Sequence, residues 1–142
     1  MAVARYLADK SAIARWHHPS VRTVLAPLVE HGLMATCAIT ELEVLFCARG
    51  KFDCELIAAD RRHAYEWLPT TDGDLQRALG VQAQLADQPQ PRTVPLPDLI
   101  IAAIAERHRV CVLHYDGRYE HVAEVTGQAT RWVVPPGSLE GA

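Results

Sequence analysis

Paired cysteines and zinc-type histidine spacings are both missing from this sequence. The four cysteines include no Cys-x-x-Cys pair, and the seven histidines include no His-Glu-x-x-His motif. The pattern therefore argues against a disulfide framework and against a metal centre built from histidine or thiolate. Three of the cysteines lie in apolar surroundings, and we expect buried, reduced thiols. The four are Cys37, Cys47, Cys54 and Cys111.

Long apolar runs are also missing. No stretch approaches the roughly 18 uninterrupted apolar residues that a membrane-spanning helix needs. Asp9 and Lys10 occupy the region where a signal peptide would carry its apolar core. We therefore expect a cytoplasmic protein that makes no membrane contact.

The sequence also lacks an excess of positive charge. Fourteen Lys and Arg residues face seventeen Asp and Glu residues, which gives a net charge of −3. A protein that binds nucleic acid through charge alone is usually basic. A nucleic-acid enzyme with this composition would need locally clustered cations or bound metal ions, so the composition neither indicates nor excludes RNA as a substrate.

The length and hydrophobic content indicate one globular domain. The chain has 142 residues, of which 49% are hydrophobic, enough for a single core. Two adjacent prolines, Pro135 and Pro136, follow the last predicted strand. We predict a domain over residues 1–135 and a short, poorly ordered tail over residues 136–142.

Predicted strands and helices alternate along the chain. Short apolar runs typical of buried strands alternate with segments of helical periodicity, an order that favours a mainly parallel sheet between two helical layers. The predicted fold is therefore a three-layer α/β/α sandwich. Strands are predicted at 3–8, 33–39, 110–114 and 130–134, and helices at 11–17, 20–31, 40–49, 53–67, 72–85, 98–108 and 119–125.

Four carboxylates fall near the predicted carboxyl ends of these strands. Asp9 directly follows the first strand, and Asp116 follows the third. Glu43 lies one turn into the helix after the second strand, while Asp98 lies in the first turn of the helix that leads to the third. Because parallel sheets bind ligands beyond the carboxyl ends of their strands, we expect the four acids to meet at one edge.

Each acid also has a purely structural interpretation. Thr40 and Glu43 have the spacing of a capping box, in which the glutamate reaches back to the threonine amide. Asp9 could cap the first helix, Asp98 could face the positive end of its helix, and Asp116 could begin a turn. Taken one at a time, these structural roles are the commoner ones.

A shared metal ion explains the grouping better than four separate caps. Ser11, Ser20 and Thr40 could cap helices without gathering negative charge, whereas four neighbouring carboxylates repel one another. A divalent cation relieves that repulsion, and Mg²⁺ and Mn²⁺ prefer carboxylate oxygens. A metal held in this way can activate water to attack a phosphodiester.

At these residues the sequence resembles the PIN-domain family, and within it the VapC-like ribonuclease toxins of type II toxin–antitoxin modules. The resemblance spans essentially the whole chain, in the family's order and spacing. Its most specific part is the Pro-Asp pair before an apolar helix, and its weakest part is the first segment. The matching segments are YLADKSA (6–12), CAITELEVLF (37–46), LPDLIIAAIAERH (96–108) and VLHYDGRYEHVAEVTG (112–127).

The resemblance implies four catalytic acids at Asp9, Glu43, Asp98 and Asp116. It assigns metal binding to Asp9, Asp98 and Asp116. In the second segment Glu43 matches the family's Thr-x-x-Glu pattern, whereas Glu41 does not and points elsewhere on the helix.

Other residues match positions beside the acids. Ser11 corresponds to a family hydroxyl next to the first acid, and His114 could orient Asp116 or contact substrate. Arg118 stands where many relatives carry a further acid, which favours one tightly bound metal ion over two. The residues expected to support the acids or contact the substrate are Ser11, Thr40, His114, Lys10 and Arg118.

The function implied by the resemblance is that of a toxin with Mg²⁺- or Mn²⁺-dependent endoribonuclease activity. Its expected partners are an RNA substrate, a VapB-like antitoxin whose helix enters an apolar groove near helices 20–31 and 53–67, and a second copy of the chain. The alternative is a catalytically weak PIN-fold module that acts through its partner, which Arg118 favours. A metal-dependent phosphatase would need an Asp-x-Asp motif after the first strand, where Lys10 and Ser11 follow Asp9 instead.

Overall fold

The computed structural model describes residues 2–139, apart from the side chain of Arg62. Strands and helices alternate through most of this length, as the sequence predicts. The strands are β1 (Tyr6–Ala8), β2 (Met34–Thr36), β3 (Glu66–Trp67), β4 (Cys111–His114) and β5 (Thr130–Trp132). The helices are α1 (Lys10–Ile13), α2 (Pro19–Glu30), α3 (Ala38–Phe46), α4 (Lys51–Arg62), α5 (Asp72–Ala86), α6 (Leu96–His108) and α7 (Arg118–Thr126).

The five strands form one sheet in the order β3-β2-β1-β4-β5, and all four pairings are parallel. The central strand β1 pairs with β2 through Tyr6 and Met34, and with β4 through Tyr6 and Cys111. The loops that follow β1 and β4 therefore lie side by side at the carboxyl edge of the sheet. The parallel α/β prediction is confirmed.

Two hydrophobic clusters occupy opposite faces of the sheet, which confirms the three-layer architecture. Leu7 belongs to the cluster that includes buried residues of α5, α6 and α7, whereas its neighbour Ala8 belongs to the cluster under α1 and α2. Val112 and Leu113 divide between the two clusters in the same way. This alternation follows from the two-residue period of a strand that is covered on both faces.

The edge strand β3 was missed by the sequence prediction, which extended one helix through Trp67. In the structure α4 ends at Arg62, and β3 adds only two residues beside β2. A two-residue strand carries too short an alternation to be distinguished from the end of a helix.

Two predicted helix caps are wrong. Ser20 lies inside α2, which begins with Pro19 after His18, because proline fits the first helical position. Thr40 likewise lies inside α3, where Cys37 is the capping residue. Thr40 is buried and its hydroxyl contacts the Cys37 thiol, 3.4 Å away. The predicted capping box between Thr40 and Glu43 is therefore absent.

The cysteines and the tail also depart from expectation. All four thiols are free, but only Cys37 is buried, and Cys47 is exposed. In the tail, residues 136–139 form a turn, and the Leu139 amide donates to the Tyr115 hydroxyl at 3.2 Å. Residues 140–142 of the predicted tail lie outside the described residues. Among residues 2–139, no helix has the length and apolar character required to cross a membrane.

Candidate metal centre

Asp9 is fixed by hydrogen bonds to both of its carboxylate oxygens. It follows β1 directly, and its Oδ2 accepts from the Ser11 amide at 3.0 Å and from the Ser11 hydroxyl at 2.6 Å. Its Oδ1 accepts from the Tyr119 hydroxyl at 2.8 Å. The Ser11 hydroxyl in turn accepts from the Tyr115 amide at 2.9 Å, which ties the loop after β1 to the loop after β4.

Three carboxylates form a compact cluster at this edge. One oxygen from each of Asp9, Glu43 and Asp98 lies within 4.8 Å of the other two. Asp9 and Asp98 are buried, and Glu43 is partly buried. This set differs from the predicted metal ligands in one member, because Glu43 takes the place expected for Asp116.

Glu43 has a buried oxygen without a hydrogen-bond partner among the described residues, namely Oε1. Desolvation and then the nearby charge of Asp9 raise the pKa of this carboxyl, and Lys10 opposes the increase. A buried, unpaired carboxylate oxygen is costly unless a ligand satisfies it. The helix cap proposed for Glu43 does not supply that partner.

Asp98 lies in the first turn of α6, after two prolines that bracket Leu96. Burial and then the charges of Asp9, Asp116 and Glu43 raise the pKa of Asp98 to about 7. The proximity to the helix N-terminus does not prevent this rise. Burial and the neighbouring carboxylates together therefore favour the protonated form of Asp98.

Asp116 borders the same hollow but stands slightly apart from the three-carboxylate cluster. Its Oδ1 accepts from the Arg118 amide at 3.0 Å, and its Oδ2 lies 3.9 Å from the Arg118 guanidinium. The residues that line this hollow of about 400 Å³ are Asp9, Lys10, Ser11, Ala14, Arg15, Glu43, Pro95, Asp98, Asp116 and Arg118.

His114 is completely buried, so it is placed to support Asp116 and not to contact a substrate. Its Nδ1 accepts a hydrogen bond from the Asp116 amide at 3.2 Å. Its ring stacks on Tyr119, with centroids 5.0 Å apart. Burial lowers the pKa of His114, despite the nearby Asp9 and Asp116 carboxylates. The neutral ring holds the turn after β4 in place.

Two residues of this region were missed by the sequence analysis. Tyr119 bonds directly to Asp9, but its aromatic ring gives it the pattern of an ordinary core residue of α7. Arg61 of α4 is buried and paired with Glu41 of α3 at 2.8 Å. The matching charges in α3 and α4 were visible in the sequence, but their contact depends on how the two helices pack.

Glu41 is turned away from the acidic cluster, as expected. The Arg61 guanidinium donates to both of its carboxylate oxygens, and the Thr36 hydroxyl donates to Oε2. Burial opposes ionisation of Glu41, but these hydrogen bonds outweigh it and lower the pKa. Of the two acids in this turn of α3, only Glu43 reaches the cluster.

An all-parallel α/β/α sandwich with buried carboxylates at the carboxyl edge of its central strands is an architecture suited to a metal-binding α/β domain. The PIN domain family model matches residues 6–125. The chain therefore belongs to the PIN domain family. The PIN domain is a metal-dependent nuclease fold, which accounts for the gathering of acids.

Relatives of known name cover nearly the whole chain. It is 47% identical to Ribonuclease VapC21 of Mycobacterium tuberculosis over 134 residues, which are 94% of this chain and 97% of that protein. It is 40% identical to Ribonuclease VapC51 of the same organism over 136 residues, covering 96% and 98%. The chain is thus a VapC-like member of the family.

Solved structures with low sequence identity share the fold. A DNA-bound VapBC complex of Salmonella typhimurium superposes with a TM-score of 0.73 at 15% identity, covering 93% of this chain and 100% of that one. VapBC2 of Rickettsia felis, bound to a promoter DNA fragment, gives a TM-score of 0.71 at 12% identity, covering 89% and 96%.

Proposed function

We propose that this chain is a Mg²⁺- or Mn²⁺-dependent endoribonuclease and the toxin of a toxin–antitoxin pair. The observation that carries the proposal is the cluster of Asp9, Glu43 and Asp98, whose oxygens lie within 4.8 Å of one another. The near relatives named ribonucleases support RNA as the substrate, and the VapBC structures support an antitoxin partner.

The residues of the cluster fit a hard divalent cation. The donor set consists of carboxylate oxygens, the ligands that Mg²⁺ and Mn²⁺ prefer. Glu43 Oε1 lacks another partner in the described residues, and burial together with the neighbouring carboxylates raises the pKa of Asp98 to about 7. We assign Asp9, Glu43 and Asp98 as the residues that would hold one ion, with Asp116 beside them.

The chain's own groups prepare this site for hydrolysis. Ser11 and Tyr119 hold Asp9 in one orientation, and His114 supports the backbone of Asp116. Lys10 and Arg118 line the same hollow and bring positive charge for an RNA phosphate. A bound divalent ion would supply an activated water and stabilise negative charge on the scissile phosphate.

Cleavage assays with purified protein test the function. Addition of Mg²⁺ or Mn²⁺ should produce RNA cleavage that EDTA abolishes. Glu43→Gln should abolish it as well, since the substitution keeps the shape of the side chain and removes its charge. Full activity in chelator, or a wild-type rate for Glu43→Gln, would show that the carboxylate cluster is not a catalytic metal site.

A catalytically weak binding module is the second candidate, and Arg118 is the observation that favours it. Its guanidinium lies 3.9 Å from Asp116, where it lowers the negative charge available to a second ion. Expression in bacteria separates the two. An active toxin arrests growth when expressed alone, and growth returns when the neighbouring antitoxin gene is expressed with it. Harmless expression of the folded chain supports the binding module.

The antitoxin segment is assigned to an apolar groove that continues from the acidic hollow. Leu42 and Phe46 of α3 are 65% and 86% exposed and line it together with Ile100 of α6. Lys10 and Glu43 line both the groove and the hollow. This groove lies between α3 and α6, whereas the sequence analysis expected the antitoxin groove near helices 20–31 and 53–67. An amphipathic helix could cover it.

A second apolar patch is assigned to pairing of two copies. Leu75 and Leu79 of α5 are exposed beside Leu96 of α6. Leu79→Glu should therefore give a monomer by light scattering and leave antitoxin binding intact. Leu42→Glu should prevent antitoxin binding and leave the dimer intact. If Leu79→Glu instead prevents antitoxin binding and Leu42→Glu gives the monomer, the antitoxin binds the α5–α6 patch and the two copies pair through the α3–α6 groove.

A further inference from the structure

A second hollow adjoins the acidic one. It has a volume of about 430 Å³, which lies in the range of small-ligand sites. Among the described residues, none of those that line it is a carboxylate, in contrast to its neighbour. Its lining consists of Ala14, Arg15, His17, His18, Tyr115 and Leu139. Ala14 and Arg15 also line the acidic hollow, so the two hollows are adjacent.

Arg15 stands at the boundary between the two hollows in a fixed orientation. Its Nη1 donates to the Ser11 carbonyl at 2.7 Å, and its guanidinium carbon lies 4.6 Å from the centroid of the Tyr115 ring. None of the ion pairs in the part of the chain that the structure describes involves Arg15. An oriented guanidinium without a carboxylate partner is suited to bind a phosphate.

Two imidazoles complete the hollow. The rings of His17 and His18 lie 4.3 Å apart at 39°, and His17 is exposed. Histidine rings stack on unpaired bases and hydrogen-bond to their edges. Tyr115 is less available for stacking, because Arg15 covers its ring and Trp132 packs against it at 5.4 Å.

We propose that this hollow binds the nucleotide next to the scissile phosphate of a single-stranded RNA. Arg15 binds the phosphate of that nucleotide, and His17 and His18 bind its base. The proposal rests on the proposed ribonuclease function and adds a subsite to it. In a chain of net charge −3, Arg15 would supply local positive charge for RNA beside the carboxylates.

The phosphate contact can be tested with Arg15→Gln. Binding of a fluorescein-labelled single-stranded RNA of about 12 nucleotides is followed by anisotropy, in an Asp98→Asn background that prevents cleavage. We expect Arg15→Gln to weaken binding about tenfold and to reduce the slope of log Kd against log salt by about 0.7. Arg15→Lys should retain the salt slope, because it retains the charge.

Arg5→Gln is the matched control. Arg5 is exposed and directly precedes β1, at the opposite edge of the sheet. Its substitution should leave RNA binding unchanged. Equal effects of Arg15→Gln and Arg5→Gln, with Arg15→Gln folded by circular dichroism, would overturn the proposal. So would an Arg15→Gln protein that binds RNA normally and loses affinity for the antitoxin, because the hollow would then be a protein-binding site.

The base contact has a separate test. His17→Ala/His18→Ala should weaken RNA binding about tenfold, within the range of one base stack. An abasic residue is then placed at successive positions of the RNA. The difference in Kd between the wild type and His17→Ala/His18→Ala should disappear at one position only. A difference that persists at every abasic position contradicts base binding. The proposed function itself fails if the wild-type protein cleaves no RNA with Mg²⁺ or Mn²⁺, an outcome distinct from these.

Discussion

The hydroxyl of Tyr119 donates a 2.8 Å hydrogen bond to Oδ1 of Asp9, joining residues 110 positions apart in the sequence. Tyr119 is fully buried, and burial together with the Asp9 charge raises the pKa of its hydroxyl well above the usual range. The group therefore remains a protonated donor. It fixes the oxygen of the Asp9 carboxylate that Ser11 does not contact.

Tyr119→Phe keeps the buried ring and removes only this donor. We expect the affinity for Mn²⁺, measured by calorimetry, to fall about tenfold, as is usual when the partner of a metal ligand is removed. The loss of a hydrogen bond to a buried carboxylate should also cost about 1–3 kcal/mol of stability. Unchanged Mn²⁺ affinity would show that Ser11 alone orients Asp9.

Asp98→Asn should have opposite effects on activity and on stability. It removes a candidate ligand, so metal-dependent cleavage should be lost. It also removes a buried charge that Asp9, Asp116 and Glu43 repel, so the melting temperature of the metal-free protein should rise. Asp72→Asn, at an exposed acid in the first turn of α5, is the control and should change neither quantity appreciably. A decrease in melting temperature for Asp98→Asn would contradict the repulsion argument.

The contribution of Asp98 to the stability of the metal-free protein should fall as pH rises from about 4 to about 7. An aspartate in the unfolded chain has a pKa of 3.8, whereas Asp98 in the folded protein has a pKa of about 7. The folded state therefore holds a proton that the unfolded state has lost in this interval, so this contribution declines across it and the decline ends above about pH 7, where Asp98 is ionised in both states. Urea titrations in EDTA at several pH values, on the wild type and on Asp98→Asn, measure this contribution as the difference between the two profiles. A difference that does not change with pH would exclude a strongly coupled Asp98.

Metal binding should show the reverse dependence on pH. A cation must displace the proton of Asp98, so the apparent Mg²⁺ affinity should rise by about tenfold per pH unit below pH 7 and level off above it. Calorimetry in two buffers of different ionisation enthalpy should detect release of close to one proton at pH 6. Binding without proton release would mean that Asp98 is not a ligand.

The buried pair of Arg61 and Glu41 should contribute far more to stability than the exposed pair of Arg77 and Glu106. Side chains of the first pair are 10% and 18% exposed, and those of the second 41% and 29%. Arg61→Met leaves Glu41 without its partner and should cost about 3 kcal/mol. Arg77→Met should cost at most about 1 kcal/mol. Equal losses in urea denaturation would contradict this.

The sequence predicted those features that depend on local patterns. Apolar runs at Leu7 and Val112 indicated buried strands, and the position of Asp98 after Pro97 indicated a helix start at the sheet edge. The architecture and the gathering of Asp9, Glu43 and Asp98 followed from these, because parallel strands direct their carboxyl ends to one side.

Features that depend on packing were not predictable. Tyr119 has the pattern of a core residue, and only the three-dimensional structure brings its hydroxyl to Asp9. The Thr40–Glu43 spacing matched a capping box, but α3 begins at Ala38, so the two side chains lie within the helix. Local patterns also could not separate Glu43 from Asp116 as the third member of the cluster.

The order of strands places the acidic centre on the most protected part of the sheet. Asp9 and Asp116 follow β1 and β4, which each have a strand on both sides, whereas β3 is a two-residue edge strand. Backbone amides of Glu66 and Trp67 should exchange with solvent by local opening long before those of Leu7 and Val112. Local opening of this edge therefore leaves the carboxylates in place, so flexibility and chemical precision reside in different parts of one small domain.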